Sequence, residues 1–401
     1  MKKYPTIGID MNREKLEQRE VLTRQVAEIL PDKKKLEAVM KKRKIRLYLG
    51  IDPTGGNLHL GHAVALRKLQ QFADLGHEAT LLVGTGTVLA GDPSQRDTAR
   101  KPITRKEIER NIKSWKKQAE KVVNFSLVKM KYNGDWLLKL TLADLLKIAS
   151  NISAVRLFQR DMFKRRIKKG DTVWMNEILY PLLQGYDSVA LDADLEIGGT
   201  DQVFNMLIGR ELMYKMKNKE KFVLTVPMIL GLDGKTMSKT SGNTVNIADP
   251  PKEMYGKLMT LRDELVDEYF ELATNITKKE VASLKKEHSL RDFKAALAKE
   301  IVALYHGETK AKYAQKEFIR VFQEKQLPSK IKKVKRSNQK EAILYETIAA
   351  LFTISKSEAR RVIQQGGVKI DSVIQKDPSL ILKLRAKMII QVGKRRTLEI
   401  I

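Results

Sequence analysis

His59-Leu60-Gly61-His62 places two imidazoles three positions apart at the start of a predicted helix. The chain has only five histidines, so two are committed to one spot. A helix N-terminus carries free N–H groups and partial positive charge, and two imidazoles there complete a site for an anion. The glycine between them lets the backbone approach that anion closely. A second basic element lies far along the chain, in Gly231-Leu-Asp-Gly-Lys235-Thr236-Met237-Ser238-Lys239-Thr240. A polar loop bearing lysine can grip a polyphosphate as charge builds on it.

Tyr180-Pro-Leu-Leu-Gln184-Gly-Tyr186-Asp187 carries different chemistry. Tyr180, Gln184 and Asp187 stand at i, i+4 and i+7, on one face of one helix. Polar side chains at that spacing in an apolar helix are costly without a polar partner, either an internal hydrogen-bond network or a ligand. Glu196-Ile-Gly198-Gly199-Thr200-Asp201-Gln202 then brings polar groups to a glycine turn that opens another helix.

These groups must be positioned by an alternation of short apolar strands and helices. Residues 45–51 read as a parallel strand, a helix follows from about Gly61 to Leu75, and 79–83 read as a second strand. Such a strand–helix–strand unit aims the helix N-terminus at a crevice beyond the strand ends. Further strands are expected within 122–131, at 195–197 and at 222–226. The fold class is therefore α/β, a Rossmann-like doubly wound parallel sheet over residues 45–250. Helices are expected across 1–44, with a break at Pro31-Asp32, and an α-helical domain across 251–328. Residues 329–340, with Lys330, Lys332, Lys333, Lys335 and Arg336, read as a basic linker. Residues 341–401 read as a small α+β unit of two helices, a Gly366-Gly367 turn, and strands at 368–370 and 388–392.

The 401 residues include 76 basic and 48 acidic side chains, a net charge of +28. Such an excess repels itself unless a polyanion is near, and on charge alone nucleic acid and a lysine-rich solvated surface fit equally. Cysteine is absent, which excludes disulfides, thiolate nucleophiles and cysteine-bound zinc. His77, His288 and His306 are scattered, so no protein-ligated metal is expected. No long apolar run and no apolar leader core is present, so a cytoplasmic protein without a membrane span is expected.

The pairing of His59-Leu-Gly-His62 with Thr236-Met-Ser-Lys239-Thr240 resembles the HIGH and KMSKS signatures of class I aminoacyl-tRNA synthetases. Thr236 stands where the second signature has its first lysine, Lys239 holds the second, and Lys235 precedes both. The stretches around Tyr48, Tyr180 and Gln202 resemble the tyrosyl-tRNA synthetase family, and the likeness runs from about residue 20 to the C-terminus. It implies ATP-dependent attachment of tyrosine to tRNA in two steps. By that resemblance Tyr48 and Asp187 bond the tyrosine phenol, Tyr180, Gln184 and Asp92 hold the α-ammonium, and Gln202 lies near the carboxylate. Asp201 with Gly199 takes the ribose, Gly50, Asp52 and Gly61 lie beside the nucleotide, and Thr54, His59 and His62 meet the phosphates. Arg96 and Arg100 fall on the basic positions of a family loop, where two guanidiniums suit pyrophosphate. The C-terminal unit resembles a small RNA-binding domain named after a ribosomal small-subunit protein. Its Lys356, Arg360 and Arg361 recur at helical spacing, a basic face suited to RNA phosphates.

The implied partners are tRNA, L-tyrosine, ATP with magnesium, and a second copy of the chain. A tryptophan-specific relative shares the fold and both signatures, but indole has no hydroxyl to satisfy Tyr48, Gln184 and Asp187. A catalytically silent RNA-binding protein on this scaffold is the third reading. Thr236 suits it; intact His59, His62, Lys239 and Asp187 do not.

Overall fold

The computed structural model describes residues 20–94, 103–237, 242–324, 326–327, 329, 331–335, 341–393 and 396–401. The chain forms two compact units, one ending at His306 and one spanning Gly307–Ile401.

The first unit is built on a six-stranded sheet. Its strands are β1 (Glu28–Leu30), β2 (Arg46–Ile51), β3 (Glu78–Val83), β4 (Val128–Tyr132), β5 (Leu195–Gly199) and β6 (Phe222–Val226). They lie in the order β1-β6-β5-β2-β3-β4, and all but β1 run parallel. β5 and β6 are almost wholly buried, as expected where helices cover a parallel sheet. The chain winds outward from β2 through β3 to β4, then returns to place β5 on the other side of β2. That reversal makes β2 and β5 the switch point, where the strand ends leave a crevice.

Helices α1 (Leu60–Asp74), α2 (Arg105–Ala119), α3 (Met175–Leu191) and α4 (Val203–Lys217) carry the chain between strands. α3 and α4 pack closely because both offer glycine where they meet. A Cβ on Gly185 would lie 3.0 Å from the Gly209 nitrogen. Asp194, just before β5, ties strands to loops. It accepts two bonds of 2.8 Å from Arg43 and one of 2.8 Å from the Arg46 backbone, and pairs with Lys219 at 2.9 Å. Burial alone would raise its carboxyl, but these donors outweigh that and hold it at about 2.

Three expectations are corrected. The region 1–44, read as helical, contains strand β1 beside the helix Lys33–Lys42. β1 pairs antiparallel with β6, and this pairing satisfies a sheet edge that would otherwise stay open. The helical tract 251–328 divides: Leu290–His306 closes the first unit and Glu308–Phe318 opens the second. The expected linker 329–340 holds strand β7 (Lys332–Val334).

In the second unit, β8 (Glu341–Ile343), β9 (Val368–Ile370), β10 (Val373–Gln375), β11 (Ile381–Lys383), β12 (Ile389–Val392) and β13 (Arg396–Ile400) accompany β7. Five form a sheet in the order β10-β9-β12-β13-β7, and β8 pairs with β11. Leu344–Phe352 and α5 (Lys356–Gln364) pack on a core that includes Leu344, Ile348, Ile363, Val368 and Ile390. No helix among the described residues is long and apolar enough to cross a membrane.

Candidate active site

A cavity of about 330 Å³ opens at the carboxyl ends of β2 and β5. It is lined by Tyr48, Gly50, Asp52, Thr54, His59, Gly61, His62, Asp92, Tyr180, Gln184, Asp187, Gly199, Asp201 and Gln202. Every candidate substrate residue that the structure describes in the first unit therefore faces one space. Thr236 and Met237 also line it, whereas Lys239, Arg96 and Arg100 lie outside the described residues.

At one end stands the start of α1. His59 is its N-cap, and its Nδ1 accepts from the Gly61 N–H at 3.2 Å. The His59 N–H donates to Nδ1 of His62, also at 3.2 Å. Each Nδ1 lone pair is thus used on a backbone N–H, which puts the proton of the neutral ring on Nε2. The rings lie 3.9 Å apart. Gly61 is needed for this fold-over, because a Cβ there would sit 3.0 Å from the His59 ring. α2 braces the approach: Asn111 donates to the Pro53 carbonyl, Ser114 and Gln118 to that of Gly56, and Trp115 to that of Gly55.

The other end is buried and polar. Asp187, 2% exposed, accepts from Asn133 Nδ2 at 3.0 Å and Trp136 Nε1 at 2.9 Å. Burial pushes its carboxyl well above the ordinary carboxylate range, against the opposing pull of those two donors. Tyr48, 1% exposed, shares a 2.8 Å hydrogen bond with Ser188. Burial raises its phenol, and the nearby Glu196 and Asp187 carboxylates add to that.

A network joins the two ends. Tyr180 donates to Asp52 at 3.1 Å, and Thr87 donates to the other Asp52 oxygen at 2.6 Å. Gln202 donates to Asp92 and to Asp201, both at 3.0 Å. Burial raises the Asp201 carboxyl, and Asp92 adds to the effect. Asn205 donates to Gln184 at 3.0 Å and to Gln202 at 3.1 Å, and Gln184 donates to Glu196 at 3.1 Å. Behind them lies the fully buried pair of Lys221 and Glu196.

Sequence reasoning missed Asn133, Trp136, Ser188, Glu196, Asn205 and Lys221. Only Glu196 left a signal, as a carboxylate inside the apolar run that becomes β5. In the second unit Lys356, Arg360 and Arg361 are exposed on α5, as their spacing predicts. Lys356 pairs with Glu346 at 2.6 Å, and the Arg360 guanidinium lies 3.8 Å from the centroid of the Tyr345 ring.

A largely parallel sheet with its cavity at the switch point and paired histidines at a helix start is suited to an anionic ligand, and its class is that of the class I tRNA synthetases. The family of class I tRNA synthetases for tryptophan and tyrosine matches residues 40–323, and the S4 domain matches 347–387. The tyrosine–tRNA ligase of Thermotoga maritima is 41% identical over 388 residues, covering 95% of this chain and 96% of the relative. Tyrosine–tRNA ligase 2 of Vibrio cholerae is 40% identical over 380 residues, covering 94% and 96%. A C-terminally truncated mitochondrial tyrosyl-tRNA synthetase of Aspergillus nidulans shares the fold, with a TM-score of 0.64 and 21% identity over 78% of this chain and 100% of that one. The chain belongs to the tyrosine–tRNA ligase family of class I aminoacyl-tRNA synthetases.

Proposed function

We propose that this cavity joins the carboxylate of tyrosine to the α-phosphorus of ATP, releases pyrophosphate, and then passes the tyrosyl group to the 3′-terminal ribose of tRNA(Tyr) with release of AMP. One observation carries the reading: a single cavity holds the paired imidazoles at one end and the buried Asp187 and Tyr48 at the other. No enzyme nucleophile is required, because the tyrosine carboxylate attacks. Catalysis is positioning plus stabilisation of charge on the leaving pyrophosphate.

Thr54, His59 and His62, with Lys239, Arg96 and Arg100, serve the phosphates. Gly50, Asp52, Gly61, Gly199 and Asp201 receive the nucleoside. Tyr180, Gln184 and Asp92 hold the α-ammonium, Gln202 the carboxylate end, and Tyr48 with Asp187 the phenol. Magnesium enters with ATP as part of that substrate. Among the described residues no group of three or more His, Asp or Glu side chains could hold an ion. ATP–pyrophosphate exchange with each of the twenty amino acids tests the reading. Exchange with tyrosine is expected; exchange with tryptophan alone, or with none, overturns it.

The α5 face is the RNA-binding surface on this reading. Arg361→Gln is expected to raise the tRNA KM severalfold and leave pyrophosphate exchange unchanged. The salt dependence of tRNA binding should flatten by roughly one unit of slope for each RNA phosphate that the variant no longer neutralises. Equal impairment in both assays would place Arg361 elsewhere in the function.

The protein acts as a homodimer on the same reading. Leu138, Leu142, Leu146, Val155, Trp174 and Met175 are each more than half exposed within one stretch of the first unit. So much open apolar surface is characteristic of an interface. Sedimentation at twice the 45.8 kDa chain mass is expected, and a monomer at micromolar concentration refutes it. Its substrates are those of cytoplasmic translation, and the enzyme works in the cytoplasm on this reading.

A further inference from the structure

The Lys221–Glu196 pair is costly to bury and takes no part in the chemistry described above. Lys221 is 0% exposed and Glu196 1%. Two desolvated ions are repaid only by good geometry and full hydrogen bonding. The Lys221 ammonium has three hydrogens and meets three acceptors: Glu196, Ser188 Oγ at 2.7 Å and the Met206 carbonyl at 3.2 Å. Space for it is made by Gly209, where a Cβ would lie 2.7 Å from Lys221 Nζ and 2.8 Å from Ser188 Oγ. Glu196 stands on β5 directly opposite Tyr48 on β2.

The pair reaches both halves of the tyrosine site. On one side Glu196 accepts from Gln184 at 3.1 Å. On the other, Ser188 accepts from Lys221 and shares its 2.8 Å bond with Tyr48. A serine hydroxyl has one hydrogen. With Lys221 donating to Ser188, that hydrogen is directed to the Tyr48 oxygen. The Tyr48 hydrogen can then go to the adjacent Glu196 carboxylate or to a substrate phenol oxygen, whose own hydrogen goes to Asp187, and pairing Glu196 with Lys221 and Gln184 favours the substrate. We propose that Lys221 and Glu196 are positioning residues that set the donor direction of Tyr48 and the orientation of Gln184, and so govern recognition of the tyrosine hydroxyl. The inference rests on the reading that Tyr48 and Gln184 bind tyrosine.

The test is ATP–pyrophosphate exchange by the full chain with L-tyrosine and with L-phenylalanine. Lys221→Met lets Tyr48 turn its hydrogen to Ser188 and leaves Glu196 a buried charge without its counter-ion, held only by Gln184. The tyrosine KM should rise about tenfold and the tyrosine-to-phenylalanine ratio of kcat/KM should fall about tenfold, the usual scale of removing one polar interaction. The ATP KM should stay within about twofold, since the imidazole end of the cavity is untouched. In Glu196→Gln/Lys221→Met, the glutamine can still accept from Gln184. The tyrosine KM should therefore recover while the ratio stays low.

An unchanged KM and ratio in folded Lys221→Met, or equal losses for tyrosine and ATP, overturns the proposal. Tyr48→Phe and Gln184→Ala run beside it: if neither affects tyrosine, the underlying reading fails and the inference falls with it. Should Lys221→Met not fold, the double variant, which buries no unpaired charge, decides. Its tyrosine-to-phenylalanine ratio should fall about tenfold, toward that of Tyr48→Phe, and an unchanged ratio overturns the relay.

Discussion

Asp187→Ala is expected to raise the tyrosine KM by roughly 10²-fold and to admit phenylalanine, with the ATP KM little changed. The reason lies in what Asp187 touches. Its carboxylate is buried and accepts from Asn133 and Trp136. Tyrosine adds a third donor, its phenol. Truncation removes that acceptor and leaves two buried N–H groups unpaired, at about 1–3 kcal/mol for each group so stranded. Phenylalanine brings no donor, so the wild-type site gains nothing polar from it, and the mutant site distinguishes the two only through Tyr48. Asp187→Asn is the sharper probe. It keeps the shape but turns one acceptor into a donor facing Asn133 or Trp136. Competition between tyrosine and phenylalanine in the exchange assay measures the effect. Unchanged discrimination removes Asp187 from the recognition site.

The same carboxyl gives a pH dependence with a definite sign. Burial places its pKa above the ordinary carboxylate value of about 4. On the proposed reading the ionised form accepts the phenol hydrogen strongly, and the protonated form accepts it only as a weaker neutral acceptor. Acidification through the raised pKa therefore weakens tyrosine binding. By linkage, bound tyrosine draws the pKa back down. kcat/KM for tyrosine should show an acid limb above the usual carboxylate range, and Asp187→Asn should lack it.

What is legible in the sequence follows the physics of local repetition. Tyr180, Gln184 and Asp187 are readable because a helix repeats every 3.6 residues, and α3 carries all three to the cavity wall. His59 and His62 are readable because a helix start is written locally. Lys221 is not, because one lysine among 76 basic side chains gives no sign that a neighbouring strand supplies a carboxylate. Asn133 and Trp136 reach Asp187 only through the packing of the segment after β4 against α3. Strands β1 and β7 escape a sequence reading for a related reason. Their partners, β6 and β13, are remote in sequence, and in β7 pairing to an open edge overrides a lysine-rich local composition. The net charge of +28, ambiguous alone, gains a reading from α5, where the basic side chains face outward.

The imidazole corner carries the other large effect. Both Nδ1 atoms serve the helix start, and each Nε2 hydrogen is a donor that phosphate oxygens can accept. Two substitutions separate these duties. Asparagine reproduces the Nδ1 acceptor but stops short of Nε2, whereas glutamine reaches the Nε2 region and gives up the Nδ1 bond. His62→Asn should keep the helix start and Tm but lower kcat for exchange by about 10²–10³-fold, the cost of removing one preorganised donor to a transition-state charge. His62→Gln should retain more of kcat while losing about 1 kcal/mol of stability with the cap. The tyrosine KM should stay constant in both, because the missing interaction strengthens only as charge develops on the pyrophosphate. A His62→Asn enzyme within threefold of the parent kcat would show that the phosphates are held elsewhere. The departure at Thr236 sharpens the point. Threonine stands in place of the first signature lysine, so on the proposed reading the missing cation is supplied by the preceding Lys235 or its share of the charge stabilisation falls to the fixed donors of α1.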